Sequence, residues 1–248
     1  MTALTVLVTG GSSASGVAAA RALATAGHRV LTVGSDPARI QAAAAEAGGG
    51  VEPMVSDLAS LESVQELART LEDRGIGGVD GVIHLVGGWR GAKGIEDQSD
   101  DDWQAMERSA VTTLRNVSRV FYGQLEQSPN GRFAMVSSTT ASAPTAATAS
   151  YAAAKSAAEA WTLSIADGFR RSASNDSTST DSQSTDSQES SAAVILVVKA
   201  LVDPAMRLKN PERRFPGYTD VEDLASAVVE LFTQPAAQLN GQRILLAK

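Results

Sequence analysis

Three side chains at set intervals carry the most specific chemistry in the sequence: Ser138, then Tyr151 thirteen residues on, then Lys155 four beyond that. On a helix the tyrosine and the lysine share a face, one turn apart. An unassisted phenol has a pKa of about 10 and is almost wholly protonated at neutral pH, whereas a nearby ammonium favours the ionised form. Bringing a phenol to a working pKa of about 7 takes about 4 kcal/mol. A serine hydroxyl alongside can donate to a carbonyl or alkoxide oxygen while the phenol moves the proton. This is proton-transfer chemistry at a carbon–oxygen bond, and its geometry requires Ser138 at the end of a strand and Tyr151 and Lys155 on a helix.

The flanking sequence supplies such elements. Short, largely apolar runs occur at 5–8, 29–33, 51–55, 79–86, 132–137, 193–198 and 243–246. Between them lie helix-like stretches at 17–26, 37–47, 58–74, 102–125, 151–171 and 220–233, the third with Leu58, Leu61, Val64, Leu67 and Leu71 on one stripe. Apolar strands alternating with helices predict an α/β fold: a single doubly wound Rossmann-type domain over 1–248, its seven-stranded, mainly parallel sheet covered by helices on both faces. Ser138 then falls at the carboxyl edge of the sheet, where doubly wound folds bind ligands.

At that edge the first strand runs into Thr9-Gly10-Gly11-Ser12-Ser13-Ala14-Ser15-Gly16. A turn of small residues opening a helix lets backbone N–H groups approach a diphosphate, and the helix N-terminus adds favourable partial charge. After the second strand come Gly34, Ser35 and Asp36, with Arg39 a turn later. An acid at this point suits a ribose 2′-hydroxyl and a basic group suits a 2′-phosphate. Ser35 with Arg39 favours NADP(H) slightly over NAD(H), with Asp36 counting the other way.

Composition narrows the function classes. With 28 acidic against 21 basic residues, a net charge of −7, the chain lacks the basic face of a nucleic-acid binder. It has no cysteine, hence no disulfide, thiolate metal site or cysteine nucleophile, as fits a cytoplasmic protein. No His or acid cluster has metal-ligand spacing, and no apolar run approaches a membrane span. Segment 172–191 holds four of the acids and the tandem repeat STDSQ-STDSQ, which predicts a mobile loop insertion within the domain. His84, inside the fourth strand, reads as a packed, hydrogen-bonded histidine. Asp100, Asp101 and Asp102 read as a helix N-cap. Trp89 is positioned to line a substrate pocket, with 202–217 as its lid. The cations of that lid, Arg207, Lys209, Arg213 and Arg214, hint at a polar or anionic substrate.

Over nearly its whole length the sequence resembles the short-chain dehydrogenase/reductase family. Residues 9–16 are similar to the family's Thr-Gly-x-x-x-Gly-x-Gly turn, Asp57-Leu58 to its adenine-contacting pair, Leu85-Val86-Gly87 to its Asn-Ala-Gly segment, and Ser138, Tyr151 and Lys155 to its catalytic residues. Segments 84–89 and 203–218 loosely resemble the dihydropteridine-reductase-like branch. The resemblance implies reversible hydride transfer between a nicotinamide cofactor and a small or medium carbonyl compound or alcohol. Thr9, Gly10, Ser12, Ser13, Gly16, Ser35, Asp57, Leu58, Val86, Gly87, Tyr151 and Lys155 would contact the cofactor, with Lys155 on the nicotinamide ribose. It also implies a homodimer or homotetramer joined through the two long helices. The sequence departs from the family in four places: Ala14 replaces a glycine, Leu85 stands where the Asn-Ala-Gly segment has its asparagine, Ala110 replaces the asparagine of the proton relay, and Lys199-Ala200 stands where Pro-Gly is usual. These departures leave open a second class, a dinucleotide-binding sensor or scaffold with little catalysis. A more distant third is an isomerase or dehydratase of the extended relatives.

Overall fold

A computed structural model describes residues 3–176 and 190–246. Its first half alternates strictly: β1 (Thr5–Thr9), α1 (Ala14–Thr25), β2 (Arg29–Gly34), α2 (Pro37–Ala47), β3 (Glu52–Val55), α3 (Leu61–Asp73) and β4 (Gly81–His84). Then follow α4 (Asp100–Glu107), a π-helical turn (Arg108–Thr112), α5 (Thr113–Gln127), β5 (Arg132–Ser138), α6 (Ala149–Asp176) and β6 (Ala192–Val198). The chain ends with β7 (Leu201–Val202), α7 (Pro204–Lys209), β8 (Thr219–Asp220), α8 (Val221–Glu230), α9 (Ala236–Leu239) and β9 (Arg243–Leu245).

Seven strands form one sheet in the order β3-β2-β1-β4-β5-β6-β9, and every pairing is parallel. The alternating apolar runs thus form the doubly wound α/β sheet they predict. One core packs α3, α5 and α6 against one face, through Leu67, Phe121 and Phe169 among others. The second packs α1, α2, α8 and α9 against the other, through Leu23, Ala44, Val228 and Leu239. Strand order reverses between β1 and β4, so their carboxyl ends diverge and open a crevice at the switch point. Among the described residues no helix is long and apolar enough to cross a membrane.

Several boundaries differ from the sequence expectations for local reasons. Helix α3 begins at Leu61 rather than 58, because Ser60 caps it by accepting from the Ser63 amide. The cap of α4 is Ser99, which accepts from the Asp102 amide; the three aspartates occupy the first turn instead, where the helix dipole favours them. The single helix expected at 102–125 is broken by the π-helical turn. Helix α6 continues five residues into the segment expected as a loop, ending at Asp176; residues 177–189 lie outside the described residues. Strands β7 and β8 pair with each other, at two residues each too short to give a sequence signal.

Candidate active site

Strand β5 ends in Ser138, which is buried and paired across the sheet with Val198. Its hydroxyl donates to Thr140 Oγ1 at 3.0 Å and accepts from the Thr140 amide at 3.2 Å, so the short turn after β5 fixes its direction. Helix α6 then presents Tyr151 and Lys155 to the same space. Lys155 is buried and donates to the Val136 carbonyl at 2.8 Å. Burial lowers its pKa to about 8, against the opposing pull of Glu159 one turn along α6. Burial also pushes the Tyr151 phenol above its ordinary value, while hydrogen bonding with Ser138 pulls it back. The sequence expectation of a phenol pulled down by Lys155 is not met here: burial raises the pKa, and the opposing pull comes from Ser138.

Ser138, Tyr151 and Lys155 line one pocket of about 370 Å³, with Trp89 at its rim and Lys199 and Leu201 opposite β5. Through Leu85, Val86 and Gly87 this pocket adjoins a second cleft of about 320 Å³ at the switch point. The second cleft holds most of the expected cofactor residues: Gly10, Ser12, Ser13, Ser35, Asp57, Leu58, Val86 and Gly87. Ser13 caps α1 by accepting from the Gly16 amide. Gly10 has a φ of +77°, and a Cβ there would lie 2.7 Å from the Leu85 carbonyl carbon, so glycine lets the turn close against β4.

Two of the expected residues stand behind the cleft wall. Thr9 is fully buried and bonds His84, and a Cβ on Gly16 would come within 2.6 Å of the Gly10 carbonyl oxygen, which makes it a packing glycine. At the far end the Asp36 carboxylate caps α2 through the Arg39 amide, at 2.8 Å, while Ser35 and Arg39 are exposed beside it. Asp57 accepts from the Ala59 amide and pairs with Arg108 at 2.9 Å. The donors therefore suit an elongated ligand: hydroxyls and a helix N-terminus for a central diphosphate, a cation at one end, an ammonium at the other.

Two polar constellations were beyond sequence reasoning. His84, buried as expected of a packed histidine, links Thr9 Oγ1 (2.8 Å from Nδ1) to Thr113 Oγ1 (3.2 Å from Nε2). Thr113 donates its hydroxyl proton to the Ser109 carbonyl at 2.7 Å, so it accepts from His84. The ring is thus protonated on Nε2, and Nδ1 accepts from Thr9. Desolvation, with Lys155 nearby, lowers the His84 pKa to about 3. This chain ties β1 and β4 to the π-helical turn, whose Ala110 packs against Met106 and Ala154. The second constellation centres on Glu159, which accepts from the Ser137 hydroxyl and from Arg243 at 3.0 Å; Arg243 also reaches the Ser138 carbonyl at 3.4 Å. Asn116 is buried and donates to the Leu58 carbonyl, far from any relay behind Lys155.

The chain is 28% identical over 158 residues, 62% of its length, to the 2,3-dihydro-2,3-dihydroxybenzoate dehydrogenase of Bacillus subtilis (strain 168). It spans between 26% and 60% of the lengths of the curated relatives it matches. Among solved structures it is similar to the NADPH-bound short chain oxidoreductase with an atypical catalytic centre from Pseudomonas aeruginosa PAO1, at 19% identity and a TM-score of 0.81, covering 98% of this chain and 95% of that one. It is also similar to NAD+-bound xylitol dehydrogenase, at 19% identity and a TM-score of 0.79, covering 98% and 97%. Both likenesses concern the fold. The short chain dehydrogenase family matches residues 4–173, more than half of the sequence, and this chain belongs to that family.

Proposed function

We propose that this protein is a nicotinamide-dinucleotide-dependent oxidoreductase of the carbonyl reductase or alcohol dehydrogenase type, acting on a small or medium carbonyl compound. The observation that carries the reading is the convergence of Ser138, Tyr151 and Lys155 on one pocket that adjoins the switch-point cleft. A dinucleotide lying through both would supply or accept the hydride. Ser12, Ser13 and the α1 N-terminus hold its diphosphate, and Asp57 and Leu58 flank its adenine. Lys155 holds its nicotinamide ribose. Ser138, its hydroxyl turned from Thr140, donates to the reacting oxygen, and Tyr151 gives that oxygen a proton during reduction and takes one back during oxidation. The raised phenol pKa keeps the proton on Tyr151 at neutral pH, as reduction requires, and the Lys155 ammonium favours the phenolate that oxidation requires. Ala110 brings no polar side chain behind Lys155, so proton resupply runs through solvent.

NADP(H) is the favoured cofactor. The Asp36 carboxylate caps α2 through one oxygen, and Ser35 and Arg39 stand beside it in the cleft to meet a 2′-phosphate. The neighbours bound to NADPH and to NAD+ support a nicotinamide dinucleotide without choosing between the two. A homodimer or homotetramer packed through α5 and α6 belongs to the same reading. The exposed Leu163 on α6 supports it, and sedimentation velocity checks it. A panel of aldehydes and ketones assayed with NADPH and NADH tests the function directly. The expected result is oxidation of NADPH in preference to NADH. Tight cofactor binding with no turnover of any compound would favour a dinucleotide-binding sensor instead.

A further inference from the structure

We propose that Lys199 makes the substrate pocket selective for carbonyl compounds that carry a carboxylate. The inference rests on the oxidoreductase reading and names the substrate class of that site. Strand register is the first support. Val198 pairs with Ser138, so Lys199 is the first residue past the sheet beside the position where a reacting carbonyl would be held. It lines the same pocket as Ser138, Tyr151 and Trp89.

Charge is the second support. The pocket wall contains two lysines and no aspartate or glutamate. Lys155 is buried against the Val136 carbonyl at the inner end. Lys199 is exposed, and its ammonium donates to the Pro216 carbonyl at 3.2 Å. That acceptor is neutral and uses one of three donors, so the charge and two donors remain. Glu159 and Asp220 are paired with arginines, Arg243 and Arg207. The Pro216 contact also places the ammonium beside the 203–217 segment rather than against the glycine-rich turn, which favours a substrate anion over the cofactor's phosphates. Val86, Trp89 and Leu201 give the wall an apolar stretch, beside the hydroxyls of Ser13, Ser15, Ser137 and Thr140. A ligand that satisfies all of this has a carbonyl at Ser138 and Tyr151, a short apolar body, and a carboxylate at Lys199.

The test compares 2-, 3- and 4-oxo acids with their methyl esters, by calorimetric titration into protein saturated with oxidised cofactor and by turnover with reduced cofactor. For the best-fitting pair the acid is expected to bind about tenfold tighter than the ester, the scale of one charge-assisted hydrogen bond. Lys199→Met should erase that preference, Lys199→Arg should keep it, and cofactor affinity should be the same in all three proteins. Equal binding of acid and ester would overturn the proposal, as would a preference that survives Lys199→Met. A cofactor affinity weakened about tenfold by Lys199→Met would also overturn it, by assigning the lysine to the cofactor's phosphates. Preference for the acid without turnover would uphold the charge assignment and sink the oxidoreductase reading. Turnover of acid and ester alike would do the reverse.

Discussion

At the catalytic end of the cleft, Ser138 and Lys155 are buried, and the polar groups around them are bonded to residues far away in sequence: His84 to Thr9 and Thr113, Glu159 to Ser137 and Arg243. At the opposite end, Ser35, Asp36 and Arg39 stand exposed on the turn after β2, and Asp57 pairs with Arg108 in an ion pair open to solvent on both sides. The difference teaches where each property of the enzyme resides. A proton-transfer site needs groups held in place before substrate arrives, and burial with complete hydrogen bonding achieves that. Cofactor choice needs only a charge at the right edge, which an exposed side chain supplies and evolution can exchange at little structural cost.

Substitutions at the two ends should therefore differ in kind as well as in size. The largest effect is expected from His84→Ala, which leaves the buried Thr9 hydroxyl unpaired, takes one of two partners from Thr113 and opens a void between β4 and the π-helical turn. A loss of about 3 kcal/mol is expected, read by chemical denaturation. A surface-like loss of a few tenths would show that the buried chain is not what holds this end together. The same ring predicts an acid limb. Its pKa in the fold, about 3, lies below the ordinary 6.5, so its contribution to stability is fully present above about 6.5 and is lost as pH falls toward 3. His84→Asn should flatten that limb of a stability–pH profile.

Next in size is Arg39→Glu at the open end. It should reverse or erase the NADPH preference, with about a tenfold change in the ratio of kcat/KM between the two cofactors, and leave the unfolding midpoint in place. An unmoved ratio would show that 2′-phosphate recognition lies elsewhere. A smaller effect is expected from Glu159→Gln. Lys155 keeps its ammonium below about pH 8, so a rate that needs that charge falls as pH rises through 8; removing the neighbouring carboxylate should move the fall to lower pH by less than about one unit. Restoring the acid as aspartate should recover part of the displacement. Smallest of all, Arg108→Ala breaks the exposed pair with Asp57 and should cost under about 1 kcal/mol, diminishing with added salt.

The same contrast explains what the sequence made legible. Ser138, Tyr151 and Lys155 could be found because strand end and helix spacing are local signals, and the glycine-rich turn because its position after β1 is local too. The five central strands show as largely apolar runs for the same reason, being covered on both faces, while the edge strands β3 (Glu52–Val55) and β9 (Arg243–Leu245) carry exposed positions and a weaker signal. The His84 chain could be read only as a buried histidine, since its partners lie 75 and 29 residues away and nothing local marks them. Glu159 and Arg243 lie 84 residues apart, and either looks like a surface charge until α6 and β9 are packed. The π-helical turn at Arg108–Thr112 left no trace in a helix-forming stretch. The sequence placed the α4 cap on the three aspartates rather than on Ser99, because acids in a first turn and an acidic cap give the same pattern.

The central claim is that the phenol of Tyr151 transfers the proton in a site already built around it. Tyr151→Phe removes one oxygen and leaves the ring that packs beside Met106, Ala110 and Ala154. Single-turnover kinetics with the best carbonyl substrate, beside a titration of NADPH on the same protein, measures both halves of that claim. The account predicts unchanged NADPH affinity and a rate lower by about two to four orders of magnitude. An unchanged rate would contradict it.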